Sequence, residues 1–457
     1  MSFPTYPTYK ATGIEWLTHI PRNWALSRLG FESWVRARLG WKGLKAEEYV
    51  DDGYAFLATP NIKGKAIDFQ NVNYITKERY EESPEIKLAV GDVLLAKDGS
   101  TLGTVNTVRE LPCPATVNSS IAVITPHPSL NGTFLYYLFQ SDFLVSTIQR
   151  IKGGMGVPHL FQEDLNKFYI PLPPATEQIT IAEFLDHETG KLDSLIAEQK
   201  KLLLMLAEKR QATISHAVTR GLNPDAPMKH SGVAWLGEVP AHWKVGAIKH
   251  WFETTSGGTP DTGRQEEYYT DGDYPWIRTT DLNNSILEEF EVAITDAAIR
   301  DSVCEMLPVG SVLIAMYGGD GTIGKNSLLG FRACINQAVC ALLPNKSFVE
   351  GFTFRYIQFY RPYWMIGAES SRKDPNISQS LIRNAPIVQP PLDEQRAIIS
   401  FLDAETTKLD SLKAEAERAI NLLGERRSTL IAAAVTGKID VRGAVASPVN
   451  KGEELAA

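Results

Sequence analysis

The chain has 457 residues, of which 44% are hydrophobic, 22% charged and 9% aromatic, and its formal net charge is −8. That much apolar material supports two to four domains and excludes a globally disordered chain. The acidic balance excludes a free-standing nucleic-acid binder that works by a general basic excess, so nucleic-acid reading here must use local patches or a partner's surface. The first thirteen residues lack the charged and apolar regions of an export signal, and no apolar run approaches the ~18 residues of a membrane span, so a cytoplasmic protein is expected. Cys113, Cys304, Cys334 and Cys340 show neither CxxC nor zinc spacing and are read as buried free thiols.

In chain order, the first segment, 1–172, opens on Gly13-Ile14-Glu15-Trp16-Leu17 and then Pro21 and Trp24. It continues as a mixed α/β region. Short β-rich runs at Asp92–Ala96 and Ser120–Thr125 are broken by Gly, Asn and Pro, and Phe134–Arg150 reads as one apolar helix. From Trp24 to Leu160, 14 Lys/Arg face 14 Asp/Glu, so the acidity lies elsewhere. Next, 173–221 starts at Pro173-Pro174 and runs without proline to Gly221. Apolar residues step by four and three through Leu185, Leu192, Ile196, Leu203 and Leu206, which predicts a long helix with a heptad seam. Thr176 is its expected N-cap and Gly221 its left-handed terminator.

The segment 222–389 then repeats the first. Gly232-Val233-Ala234-Trp235-Leu236, Pro240 and Trp243 return at a shift of 219, with strands at Val312–Tyr317 and Ala338–Leu343 and a helix over Phe352–Gly367. The segment 390–438 repeats the long helix from Pro390-Pro391, with Asp393 as N-cap, a seam through Leu402, Leu409, Ile420, Leu423 and Leu430, and Gly437 at its end. Pro173–Arg220 and Pro390–Gly437 share 24 identities in 48 positions, whereas the variable regions diverge. The repeat predicts an α+β architecture: two mixed α/β domains in pseudo-twofold tandem repeat, separated by two long helices that pair as an antiparallel coiled coil. Gln199, Arg210, Lys413 and Arg427 would set its register. The tail, 439–457, has little apolar content and is expected to be disordered.

No complete catalytic constellation is present. Gly319–Asn326 approaches a phosphate-binding loop, but Asn326 stands where a magnesium-binding hydroxyl belongs, and a structural turn explains it. Asp68 with Glu85 and Lys87 is an incomplete nuclease pair that the second copy lacks. Local cations and hydroxyls suit phosphate or base-edge contacts: Arg36, Arg38, Lys42, Lys45, Lys63, Lys65, Lys97, Ser100, Thr101, Lys152 and His159 in the first half. Thr259, Arg264, Arg278, Thr279, Lys325, Arg372 and Lys373 do so in the second. Any one of them in isolation also fits a solvated surface loop.

The layout resembles the specificity subunits of type I restriction–modification enzymes over about Gly13–Lys438. The residues that carry the likeness are SGVAWLGEVPAHW, GGTP followed by GDYPWIR, GDVLLAKDGSTLG, and the duplicated PLPPATEQ…FLDHETGKLDSL and QPPLDEQ…FLDAETTKLDSL. The resemblance implies that each variable region is a target recognition domain reading one half of a split site in double-stranded DNA. It implies that the paired helices are the spacer and that the chain is not itself an enzyme. Two methyltransferase subunits would bring S-adenosylmethionine, and restriction subunits would bring ATP and magnesium, with no cofactor, metal or membrane bound by this chain. The alternative is a coiled-coil scaffold that binds proteins and not DNA.

Overall fold

Runs such as Val93–Ala96 and Val312–Ala315 carry β-branched and aliphatic side chains at every position, which suits strands covered on both faces. In the computed structural model, which describes residues 3–38, 46–151, 159–318, 321–365 and 376–444, all four residues of each run are buried at the centre of a sheet. The chain divides into two units, one formed by 1–200 with 418–457 and the other by 201–417.

In the first unit, strands Ser33–Arg36, Ile121–Pro126, Val93–Ala96 and Val105–Thr107 lie side by side and antiparallel. A second sheet sets Tyr54–Leu57 between Asn73–Ile75 and, in parallel, Ala115–Val117. Both have counterparts in the second unit. Thr254–Ser256, Val339–Leu342, Val312–Ala315 and Asn326–Leu329 form the larger sheet, with Ile286–Leu287 added at its edge. Tyr274–Ile277 sits between Ala293–Ile294 and Cys334–Ile335 in the smaller one. Each variable region enters and leaves through adjacent antiparallel strands, Ala25–Arg28 with Tyr169–Leu172 and Lys244–Ala247 with Pro386–Gln389. It is therefore an insertion whose two ends lie side by side.

The two long helices are present, Ala175–Arg220 and Leu392–Val435. Thr176 and Asp393 lie inside the first turn and do not cap it, because the helix already begins at the residue after each Pro-Pro pair. Both ends are closed by glycines in the left-handed region, Gly221 at φ 75° and Gly437 at φ 71°. In each unit a stretch of one helix runs antiparallel to a stretch of the other. In the first unit, Asp193 accepts from Arg427 Nε at 2.8 Å, and Ile181, Phe184 and Leu185 share a core with Ile431, Ala434 and Val435. In the second, Arg210 and Asp410 pair at 2.5 Å while Ile214, Ala217 and Val218 share a core with Ile398 and Leu402. Leu185, Leu192, Leu206, Leu402 and Leu409 are buried in this seam; Ile196, Leu203, Ile420, Leu423 and Leu430 are half-buried.

Three expectations change. The stretch Phe134–Arg150 is two helices, Gly132–Gln140 and Asp142–Ile151, because Ser141 is extended and its hydroxyl turns back onto the Leu138 carbonyl. The helix from Glu350 stops at Tyr360 and tightens into a 3₁₀ segment, Arg361–Met365. The start of the tail is ordered: Val441 is fully buried in the first unit's core, and Asp440 N donates to Pro4 O at 2.7 Å. Residues 445–457 lie outside the described residues. The cysteines are free thiols, buried at 304, 334 and 340 and half-buried at 113; burial pushes Cys334 and Cys340 up to about 12.

Candidate nucleic-acid interface

The candidate cations part into those the fold consumes and those it leaves available. Arg36 is consumed. It lies 8% exposed under the first unit's larger sheet, paired with Asp92 at 2.9 Å and donating to the Glu85 and Lys87 carbonyls. A guanidinium so enclosed holds the sheet to the loop before it and has no face for DNA. Arg278 is half-buried, gripped by Asp281 and Glu291 at 2.9 Å each, and the hydrogen bonds it donates to Asp281 hold its pKa above the usual value. Arg264 is exposed but paired with Glu267 and Asp301, its guanidinium over the Tyr268 ring. Thr259 spends its hydroxyl on Gln337, and Thr279 is half-buried in the short turn beside Arg278.

Lys97, Asp98 and His159 form one cluster. Asp98 accepts from Lys97 Nζ at 3.1 Å and pairs with His159 Nδ1, and Phe161, 55% exposed, meets the imidazole edge-on. Ser100, exposed, and Thr101, half-buried, occupy the adjoining turn. Arg38 is half-buried, donates to Ser83 Oγ at 3.3 Å, and is held below the usual arginine range by burial and by Arg79. Lys325 is half-buried in the turn before strand Asn326–Leu329 and has no ion pair among the described residues. Lys42, Lys45, Lys152, Arg372 and Lys373 lie outside the described residues.

Lys63 and Lys65 differ from all of these. Both are exposed and without an acidic partner among the described residues, yet their loop is fixed from beneath. Asn61 accepts from Ala58 N and donates to the Asn71 carbonyl, each at 2.8 Å; the buried Asn106 donates to the Ile62 and Gly64 carbonyls at 3.2 and 3.0 Å. The loop overlooks a cleft of about 1040 Å³ against the first long helix. Arg109, Lys200 and Arg427 also line it, and none of these stood among the contacts expected from sequence. Their alignment comes from pairing across sequence distances of 77 and 234 residues, Arg109 with Asp186 and Arg427 with Asp193, which no local motif signals.

The duplicated Glu-Gln acquires a physical role. Glu177 is buried and accepts from Tyr6 at 2.6 Å, Trp24 Nε1 at 2.9 Å and Asn23 at 3.0 Å. Glu394 accepts from Trp243 Nε1 at 2.8 Å and pairs with His242 at 2.6 Å. Gln178 accepts from Asn131 N and donates to the Ser129 and Pro173 carbonyls. Gln395 does the same with Val349 N and the Ser347 and Pro390 carbonyls. In each unit the motif fastens a long helix to the tryptophan of the frame and to the loop that opens the head's helix.

These matching frames under divergent heads have a known counterpart. A family model described as "Type I restriction modification DNA specificity domain" matches residues 42–204 and again 240–421. The chain belongs to this family. Among relatives of this specificity family, the putative type I restriction enzyme MjaX specificity subunit of Methanocaldococcus jannaschii is 23% identical over 410 residues, covering 88% of this chain and 91% of that protein. The EcoKI specificity subunit of Escherichia coli is 19% identical over 454 residues, covering 96% and 94%. Two solved structures share the fold at 17% identity each. One, described as concerning complex assembly and conformational transition of the type I R-M system, has a TM-score of 0.71 and covers 91% of this chain and 98% of that one. The other, the HsdS subunit from Thermoanaerobacter tengcongensis, has 0.53 and covers 92% and 98%. Among the described residues, no helix is long and apolar enough to cross a membrane, and no three His, Cys, Asp or Glu side chains are grouped to hold a metal ion.

Proposed function

We propose that this chain is the DNA-specificity subunit of a type I restriction–modification complex and reads a bipartite, asymmetric site, each head reading one half. The observation that carries the reading is the tandem match of the specificity family to both halves, on frames that keep the Trp–Glu and Gln latches while the heads differ. Two methyltransferase subunits, with S-adenosylmethionine, and restriction subunits, with ATP and magnesium, supply the chemistry; this chain supplies position. The exposed candidates Lys63, Lys65 and Ser100 and the half-buried Thr101 belong to the first head, and the half-buried Lys325 to the second. Phosphate contacts fix the duplex, and fixed polar side chains discriminate bases. Exchanging Trp243–Val388 for the same segment of a relative, between strands that already lie side by side, is expected to change one half-site and leave the other. Methylation mapping of the reconstituted complex reads this directly. If both halves changed together, the heads would not be independent readers. A chain that assembles with the methyltransferase yet gives the complex no sequence preference would instead fit the scaffold alternative.

A further inference from the structure

In a chain of net charge −8, the lining of the first unit's cleft holds more cations than carboxylates. Of the five cations that line it, Arg109 is matched by Asp186 in two hydrogen bonds of 2.6 and 2.7 Å, and Arg427 by Asp193 at 2.8 Å. Lys63, Lys65 and Lys200 remain uncompensated among the described residues. All three are exposed, and Lys65 Nζ reaches to within 3.8 Å of where a Cβ would stand on Gly190 of the first long helix. The walls between the lysines include Gly64 and Gly103, which present backbone without side-chain bulk.

The second unit keeps the two arginine–aspartate pairs, Arg355 with Asp403 and Arg210 with Asp410, and sets Lys325 where Thr104 lines the first cleft, but it lacks the three lysines. Matching Tyr54–Leu57 to Tyr274–Ile277 places Asn283 and Ser285 where Lys63 and Lys65 stand, and the helix repeat places Glu417 where Lys200 stands. The buried pin survives there: Ser327 replaces Asn106, accepting from Asn283 N and donating to Asn283 Oδ1, each at 3.1 Å. The loop's support is therefore shared, whereas the three lysines belong to the first unit alone.

We propose that this cleft carries the phosphodiester backbone of duplex DNA, as a contact of the first unit only that supplies affinity without reading sequence. The proposal rests on the function given above. Lysine is a flexible point charge that suits phosphate oxygens, whereas bidentate base reading calls for a guanidinium fork, and both arginines here are already locked by aspartates. An acidic protein segment would also meet three lysines, but a protein docking surface needs a desolvated apolar centre. Here Tyr137 and Phe139 are buried, and the open cleft exposes polar and apolar surface in about equal measure, with Val145 an exposed apolar side chain at its wall.

The test uses the full complex with its methyltransferase and compares wild type with K63Q/K65Q/K200Q and with K63R/K65R/K200R. Binding to a target duplex is measured against salt, and methylated sites are mapped. Each released phosphate contact lowers the slope of log K against log salt by about 0.9. The glutamine variant should therefore lose about two to three in slope and on the order of 10- to 100-fold in affinity near 0.15 M salt. The methylated sequence should stay unchanged, and the arginine variant should restore the slope. An unchanged slope in a folded glutamine variant overturns the proposal. So does loss of methyltransferase assembly with unaltered DNA affinity, which would assign the cleft to a protein segment. If the wild-type complex recognises no bipartite sequence, the functional reading fails separately, and the slopes on random duplex still decide the cleft.

Discussion

Glu177 takes three donors at a buried site, and burial together with this carboxylate pushes the Tyr6 hydroxyl up, so Tyr6 stays protonated and donating throughout the neutral range. Removing the carboxylate would strand Tyr6 and the Trp24 indole without an acceptor, at about 1–3 kcal/mol for each buried donor left unmatched. Glu177→Ala should therefore lower the melting temperature of the first unit by roughly 5–10 °C. Glu394→Ala, at a half-exposed site with two partners, should cost the second unit less. Calorimetry of the two single variants distinguishes them, and equal losses would mean that burial does not set the strength of the latch. The repeat made the Glu-Gln pair visible, but its partners lie 153 and 171 residues away from Glu177 and could not be named from spacing. Arg36 shows the converse error: beside Arg38 it reads as a surface cation, because nothing local announces the Asp92 that buries it.

At the scale of elements, the long helices were legible because a heptad seam, a Pro-Pro start and a terminal glycine all pointed the same way. The break at Ser141 was not, since an apolar aromatic run has no period to mark where one buried helix ends and the next begins. The lysines of the cleft were half legible: Lys63 and Lys65 are among the candidates the sequence offers, whereas Lys200, on the long helix, carries no local signal that it lines the same cleft. The helix ends differ in tolerance. A Cβ on Gly437 would stand 2.4 Å from Pro21 Cδ and 2.5 Å from Pro21 Cγ, while one on Gly221 would first meet Trp243 at 3.2 Å. Both positions also carry the left-handed strain that a side chain adds, about 1–2 kcal/mol. Gly437→Ala should cost about 2–5 kcal/mol, strain plus overpacking, and Gly221→Ala about half as much. Thermal melts of the two variants measure the difference; a reversed order would mean that Pro21 yields more readily than Trp243.

For the whole molecule, the repeat in sequence is not the division in space. Ile431, Ala434, Val435 and Val441, from the far end of the chain, complete the core that holds Ile20, Trp24 and Leu29. A chain ending at Glu417 should keep the second unit, whose residues are contiguous, and lose the protection of the first. Limited proteolysis with mass spectrometry would show cuts concentrated before Lys200, and uniform resistance would mean that the first unit closes without its last helix. The same arrangement orders events during synthesis. Ribosomes ordinarily release domains to fold from the N-terminus onward, at about 5–20 residues per second. Here the segment made first must wait, with the apolar surface around Ile20 and Trp24 uncovered, for on the order of 10–40 s while the second unit is made and finished. The nascent protein thus matures in reverse, and that interval is when a chaperone, or a premature stop codon, would decide its fate.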